Sequence, residues 1–419
     1  MKIFHQLRQL LALVLVSLML TGCNSVQNNF GEMLEAGSKL VPRVSAESRI
    51  FLDLSVDFLG EYRLPKTIMA NTPVGGLSAL SYDRQHSFDL LPLGFRVYAL
   101  SDDRSDFAPA RFYTLKVMLE PHDNPGSQMG TVSQQVTLKR VEVEQVTFLK
   151  AENGEPYAKG AIDPEGIALT PQQSVFISSE GVTKSGVPPF INEFDLATGA
   201  LRQVLPLPKR YIPDAPGAEQ TIGIRDNLGF EALTLNPMNS GTFRTEPFRV
   251  FAATEAALKQ DLDPDQEGEN SRLLHYLVGD GPPVLVSEHL YPIAPPPSGA
   301  EINGLTELLS LDQGGHFLSL ERSYGAIGIG ARIFQAATGG ATDISSIPSL
   351  KGTLSGVSPV RKKLLLDLDD LGIRLDNLEG MTLGPRLPDG SQSLLLVSDD
   401  NFSAKQITQF LLFRLKFGS

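Results

Sequence analysis

The sequence predicts an all-β chain folded as a β-propeller, and three observations predict it. Its 419 residues include 38 Gly and 29 Pro but no Trp, a composition of many turns. Apolar runs such as "SVFIS", "FRVFAA" and "SLLLVS" are too short for helices and have the length of buried strands. A short phrase, read in "EINGLTELL" and "NLEGMTLGP", recurs along the chain, and each copy is followed by a second apolar strand. Strand pairs that bury only part of their surface must stack, and a radial stack around a channel is a propeller.

The N-terminus reads differently from everything after it. Lys2 and Arg8 precede the apolar run "LALVLVSLML", which ends in Leu20-Thr21-Gly22-Cys23, and this tetrapeptide resembles the lipobox of bacterial lipoproteins. A run of roughly 11 residues is short of the ~20 needed to span a bilayer. Residues 1–22 are therefore expected to be a signal peptide, 23–48 an acylated Cys23 with a polar tether, and 49–419 the propeller domain. The expected partner is a bacterial membrane reached through that lipid, on its periplasmic side or at the cell surface. Lipidation consumes the only cysteine, which excludes disulfides, thiolate catalysis and cysteine metal sites. The formal charge of −12 grows more negative once Lys2 and Arg8 leave, which argues against nucleic acid as a partner. A monomer is expected.

Five copies of the phrase begin at Gly75, Glu165, Glu231, Asn303 and Glu379. After a turn such as "TPQQS" or "LPDGSQ" comes the returning strand, closing in Asp102, Glu180, Glu255, Glu321 and Asp399. An antiparallel return sets the end of the second strand beside the start of the first, so the two sets of polar residues are expected to ring one mouth of the channel. Asn303 marks the degenerate copy, where Glu321 and Arg322 keep the partner position charged. That uneven side is the first place to look for a bound anion. "ITQFLLFRLK" at 407–416 is expected to complete a blade begun near "SRIFLDLSVD" at 48–57. The copies are long for four-stranded blades of ~42 residues, and the interval after Gly75 holds the additional strand-like text "RFYTLKVML" and "VTLKRVEVEQVTFL".

Carboxylates gathered at one mouth raise one another's pKa unless a cation or an arginine neutralises them. Hard cations with oxygen ligands, above all Ca²⁺, suit such a ring. Arginines recur beside it: Arg225 with Asn227 before Glu231, Arg374 with Asn377 before Glu379, and Arg322 after Glu321. An oxyanion held between metal and arginine fits these residues, and so do simple salt bridges.

The stretches "GGLSALSYD", "FRVYALSDDR", "GFEALTLNP", "LLSLDQGGHFLSLERSYG" and "LLLDLDDLGIRLDNLEGMTLGPRLPDGSQSLLLVSDDNFS" resemble the phytase-like family, also described as esterase-like activity of phytase, over roughly residues 70–416. The resemblance implies a propeller similar to the calcium-dependent phytases, with six blades favoured and five or seven possible, and a phosphoester or other small anionic substrate. It implies Glu165, Glu180, Glu231, Glu379 and Asp399 as calcium ligands and Arg225, Arg322 and Arg374 as an anion clamp. The chain has Asp163-Pro164-Glu165-Gly166 in place of the Asp-Asp-Pro-Ala of characterised phytases, which argues against phytate itself. A non-catalytic binding or scaffold propeller is the alternative.

Other chemistries find no motif. Gly-x-Ser-x-Gly, Ser-x-x-Lys, His-Glu-x-x-His and the Walker phosphate loop are absent, and the six histidines show no ligand spacing. His316 opens a repeat strand and reads as a packed strand residue. "DLDPDQEGEN" at 261–270 has alternating acids, but Pro264 interrupts it and the calcium-loop glycine is misplaced, so a solvated acidic loop is expected. "YPIAPPPSGA" at 291–300 reads as a stiff connector.

Overall fold

In the computed structural model, residues 50–84, 94–122, 135–236, 246–326 and 328–418 are described. The expected signal peptide, Cys23 and the expected tether lie outside them. Strand β1 (Leu54–Leu64) is followed by a small hairpin of β2 (Thr67–Met69) and β3 (Thr72–Val74). Four sheets then follow in chain order. They are β4 (Leu77–Tyr82) to β7, with β5 (Gly94–Ser101), β6 (Arg111–His122) and β7 (Gln135–Phe148); and β8 (Pro164–Leu169), β9 (Ser174–Ser179), β10 (Phe190–Asp195) and β11 (Leu201–Val204). Next come β12 (Phe230–Leu235), β13 (Phe248–Thr254), β14 (Asn270–Val278) and β15 (Val284–Pro292), then β16 (Ala300–Ser310), β17 (His316–Gly325), β18 (Gly328–Ala337) and β19 (Arg361–Asp367). The fifth sheet holds β20 (Asn377–Arg386), β21 (Gln392–Asp399) and β22 (Thr408–Phe417), with β1 as its outermost strand.

The first strands of the five sheets, β4, β8, β12, β16 and β20, pack against one another in sequence, and β20 packs back against β4. This is a closed five-bladed β-propeller. Closure comes from β1 pairing with β22 from Leu54↔Phe417 to Leu64↔Thr408, so the two ends of the domain share one blade, as the closing strand "ITQFLLFRLK" led one to expect.

The favoured count of six blades is corrected to five, and the reason is strand length. The additional text after Gly75 is β6 and β7, the outer strands of the first blade, 12 and 14 residues long. Five apolar clusters make the same point, one between each pair of neighbours. Phe95 and Val97 meet Leu395 and Phe410 between blades one and five, and Phe112 meets Ile167 and Phe194 between one and two. Phe176 meets Val250 between two and three, Phe251 meets Phe317 between three and four, and Leu320 meets Leu411 between four and five. Sheets sandwiched on both faces need continuous apolar strands, which is why β9 is buried at all six positions while outermost β19 has no fully buried residue.

Of the expected connector at 291–300, residues 293–299 join β15 to β16, and the flanking residues are strand. In the acidic loop at 261–270, Asp261 turns inward to bond Arg272 at 2.6 and 3.0 Å while Asp265 and Glu267 are exposed. His316 bonds Asp312 at 2.7 Å at the β16–β17 turn, the opposite end of its strand from Arg322.

Candidate metal and anion site

Every inner strand carries a β-bulge near its start. Register shifts fall between Leu77 and Ala79, Pro164 and Ile167, Phe230 and Ala232, Leu305 and Glu307, and Leu378 and Gly380. A bulge inserts an unpaired residue and re-aims its side chain. The residues so placed are Ser78, Glu165 (with Gly166), Glu231, Thr306 and Glu379, one per blade. Two residues before each bulge stand Gly76, Asp163, Gly229, Gly304 and Asn377, and opposite these lie the ends of the second strands. Asp102 N–H donates to Gly76 O at 2.6 Å, Glu180 N–H to Asp163 O at 3.0 Å and Glu255 N–H to Gly229 O at 2.7 Å. Arg322 pairs with Gly304 and Asp399 with Asn377. The ring thus has two tiers: Ser78, Glu165, Glu231, Thr306 and Glu379, then Asp102, Glu180, Glu255, Arg322 and Asp399.

Three sequence assignments shift in this register. The phrase at Gly75 and the one at Asn303 each begin three residues before their bulge, because Gly-Leu-Ser and Gly-Leu-Thr imitate the Gly-Met-Thr that follows Glu379. Asn303 is therefore off the ring; its Nδ2 donates to Ala294 O and to Glu321 Oε2, both at 2.9 Å. Glu321 is displaced by one and faces away, accepting from Tyr291 at 2.8 Å and from Lys362. The ring position of blade four belongs to Arg322. A sequence signal for this existed: Ser101-Asp102, Ser179-Glu180, Thr254-Glu255 and Ser398-Asp399 align a hydroxyl before each acid, which sets Glu321 with the hydroxyls and Arg322 with the acids.

The ring divides into two chemically different halves. In blades one to three, carboxylate oxygens of Asp102, Asp163 and Glu165 lie within 4.8 Å of one another, as do those of Glu165, Glu180 and Glu231. Glu165 belongs to both groups. Asp163, next to the quoted Glu165 but not singled out from sequence, is paired with Arg104 at 2.5 Å, and Arg104 also donates to Asn227 Oδ1 at 2.7 Å. In blades three to five, Arg322 donates to Glu255 and Glu379, both at 2.8 Å, and to Asn377 Oδ1 at 2.6 Å. Asn377 Nδ2 in turn donates to Glu379 at 2.8 Å. Asp399 accepts from Asn401 N–H at 2.7 Å.

Burial is the first cause of the electrostatics here and like charge the second. Together they push Asp102, Glu165, Glu180, Glu231 and Asp399 well above the usual carboxylate range. Burial raises Glu379 as well, but Arg322 restrains it to about 7. Burial opposes the charge on Arg322, yet Glu379, Glu255 and Glu231 outweigh it and raise its pKa.

The other two arginines of the expected clamp do not join the ring. Arg225 donates to Ala257 O at 2.9 Å and is paired with Glu269. Arg374 is exposed, and its backbone carbonyl accepts from Gln409 at 2.9 Å.

The family described as "Phytase-like: Esterase-like activity of phytase" matches residues 72–402. The chain belongs to the phytase-like family. Among solved structures it is similar to a Dos1 propeller, at 8% identity and a TM-score of 0.32, covering 82% of this chain and 78% of that one. It is also similar to the catalytic domain of a Coprinopsis cinerea GH62 α-L-arabinofuranosidase, at 12% identity and 0.35, covering 87% and 97%. Likeness at that level carries no argument about function. No curated protein matches the chain. For a phytase-like chain the relevant test is whether the ring suits a cation, and it does. Glu180 Oε1 accepts from Gly229 N–H at 2.5 Å, but its Oε2 is buried without a hydrogen-bond partner. A buried carboxylate oxygen left bare is costly, and all-oxygen donor sets suit hard cations.

Proposed function

We propose that the protein is a calcium-dependent phosphoester hydrolase, tethered outside a bacterial cytoplasmic membrane through lipid on Cys23. The observation that carries the proposal is the carboxylate group centred on Glu165, which includes Glu180, a residue whose Oε2 is buried and bare. Asp102, Asp163, Glu165, Glu180 and Glu231 would hold the ion. Calcium bound there would neutralise the carboxylates and polarise a phosphoryl oxygen. Arg322, held by Glu255 and Glu379, presents a fixed positive charge beside that group, and so orients an anion without moving.

In the reaction a water oxygen bonds to phosphorus, one P–O ester bond breaks, and the released alcohol takes up a proton. Glu379, the ring carboxylate that accepts from Arg322 and Asn377, is the group assigned to accept a proton from water and return it. The supporting experiment is phosphoester hydrolysis by the purified domain with calcium, with chelator, and with Glu165→Gln. Turnover unchanged by chelator and by the substitution would overturn the reading.

One observation favours a second reading, a non-catalytic binding propeller. Both carboxylates beside Arg322 already engage it, so a cation bound at Glu165 would serve as the main recognition point. Calcium binding without turnover of any phosphoester would select that reading.

A further inference from the structure

The ring mouth has apolar rims on two sides. Blade four runs on past its bulge, and there Ile302 pairs with Tyr324. Tyr324 is two residues beyond Arg322, hence on the same face of its strand and about 7 Å further out. The two side chains are 50% and 55% exposed. After the ring residues of blades five and one, the rings of Phe402 and Phe107 lie 4.5 Å apart. Phe402 follows Asp399 by three residues and Phe107 follows Asp102 by five. A Cβ on Gly76 would come within 2.6 Å of the Phe402 ring and 2.8 Å of Asp102 O, which seats that ring against the backbone of the site. Phe107 is 62% exposed.

Four basic groups on the segments that lead to this mouth are already matched. Arg104 is paired with Asp163, Arg225 with Glu269, Arg322 with Glu255 and Glu379, and Lys159 with Asp106. Arg374 is exposed, with no side-chain ion pair among the described residues. A ligand with many negative charges would therefore meet a surplus of carboxylates, while one negative charge could be met by a ring cation. Large exposed apolar groups flanking such a point mark surface that a ligand covers.

We propose that the substrate is a phosphodiester with a single negative charge, whose two apolar or aromatic ester groups lie against the Ile302–Tyr324 and Phe107–Phe402 rims. This rests on the calcium-dependent phosphoester reading. Water adds at phosphorus, one ester oxygen departs as an alcohol with its proton, and the other stays on the phosphomonoester product.

The test uses the purified protein with calcium and compares bis(4-nitrophenyl) phosphate, 4-nitrophenyl phosphate and inositol hexakisphosphate. The diester should have a kcat/KM about tenfold or more above the others. Tyr324→Ser and Phe107→Ser should each raise its KM about fivefold to twentyfold with kcat nearly unchanged, the effect of about 1–2 kcal/mol of lost apolar contact. Val204→Ser, at a similarly exposed apolar residue on the outer strand of blade two, should change neither. Calorimetry with diphenyl phosphate and calcium supplies a readout independent of turnover. Rim-dependent binding without hydrolysis of any phosphoester would sink the hydrolase reading, and with it the claim that the diester is a substrate. Hydrolysis that prefers the hexakisphosphate, or is indifferent to both rim substitutions, would sink the inference and leave that reading standing. Absence of calcium-dependent diphenyl phosphate binding would also sink it.

Discussion

The two halves of the ring solve one electrostatic problem in different ways. Around Glu165, five carboxylates from blades one to three meet, and among the described residues Arg104 is the one cation ion-paired within the group, held to Asp163, while Arg322 acts on Glu231 from the side. Around Arg322, Glu255 and Glu379 are matched by a guanidinium supplied from blade four. The first half leaves carboxylates that a cation from solution could join, whereas the second is completed by the chain. Like charges in a low-dielectric site need a partner in either case, and the contrast lies in whether that partner is covalently attached.

The largest effect should come from breaking the completed half. Arg322→Met leaves Glu255 and Glu379 buried without a counter-ion and should cost about 3–5 kcal/mol, read by urea unfolding in chelator at pH 7. A loss under about 1 kcal/mol would mean that the halves do not differ.

Next is pH. An acid with a raised folded-state pKa holds its proton longer in the folded chain than in the unfolded one. Its contribution to stability is full below the unfolded value and is lost as pH rises through the folded one. For Glu379 that window runs from 4.5 to about 7, worth roughly 3 kcal/mol. Metal-free protein should lose stability from pH 5 to pH 8, and Glu379→Gln should flatten the curve. Thermal unfolding across that range measures it, and a stability that rises with pH would contradict the burial argument.

The open half should respond in the opposite direction. Glu165→Gln removes a like charge shared by two groups and should stabilise the metal-free protein at pH 8 by about 1 kcal/mol or more. It should also erase most of the melting-temperature rise given by calcium, which follows from preferential binding to the folded state. Destabilisation together with a retained calcium response would remove Glu165 from the centre of the site.

The smallest effect sharpens the register. Asn303→Ala gives up two hydrogen bonds away from the ring and should cost about 1–2 kcal/mol without altering the calcium response. A changed response would return Asn303 to the mouth.

Much of this could be read from the chain. The acids Glu165, Glu180, Glu231, Glu379 and Asp399 were legible because each opens or closes a strand of a repeated hairpin, and antiparallel pairing alone brings such ends together. Asn303 and Glu321 were misplaced because glycine, a large apolar residue and a hydroxyl satisfy the phrase at more than one offset, while one residue of register changes the face. Arg104 was invisible for another reason: its partner Asp163 lies in the next blade, 59 residues on. Glu307 was missed too. It follows the blade-four bulge where other blades have Ala79, Gly166, Ala232 and Gly380, and its buried carboxylate accepts from Leu308 N–H at 2.9 Å and Leu233 N–H at 3.4 Å.

By itself the sequence determined the all-β class, the repeated hairpin, the acids at its ends and the pairing of the last strand with the first, because each follows from periodicity and antiparallel geometry within a short span. Only the tertiary structure decided that five blades close the ring, that Thr306 and Arg322 occupy the blade-four positions, and which carboxylates remain without a counter-charge. Those outcomes depend on bulges, long outer strands and contacts between blades, where residues far apart in the chain compete for the same few ångströms around the axis.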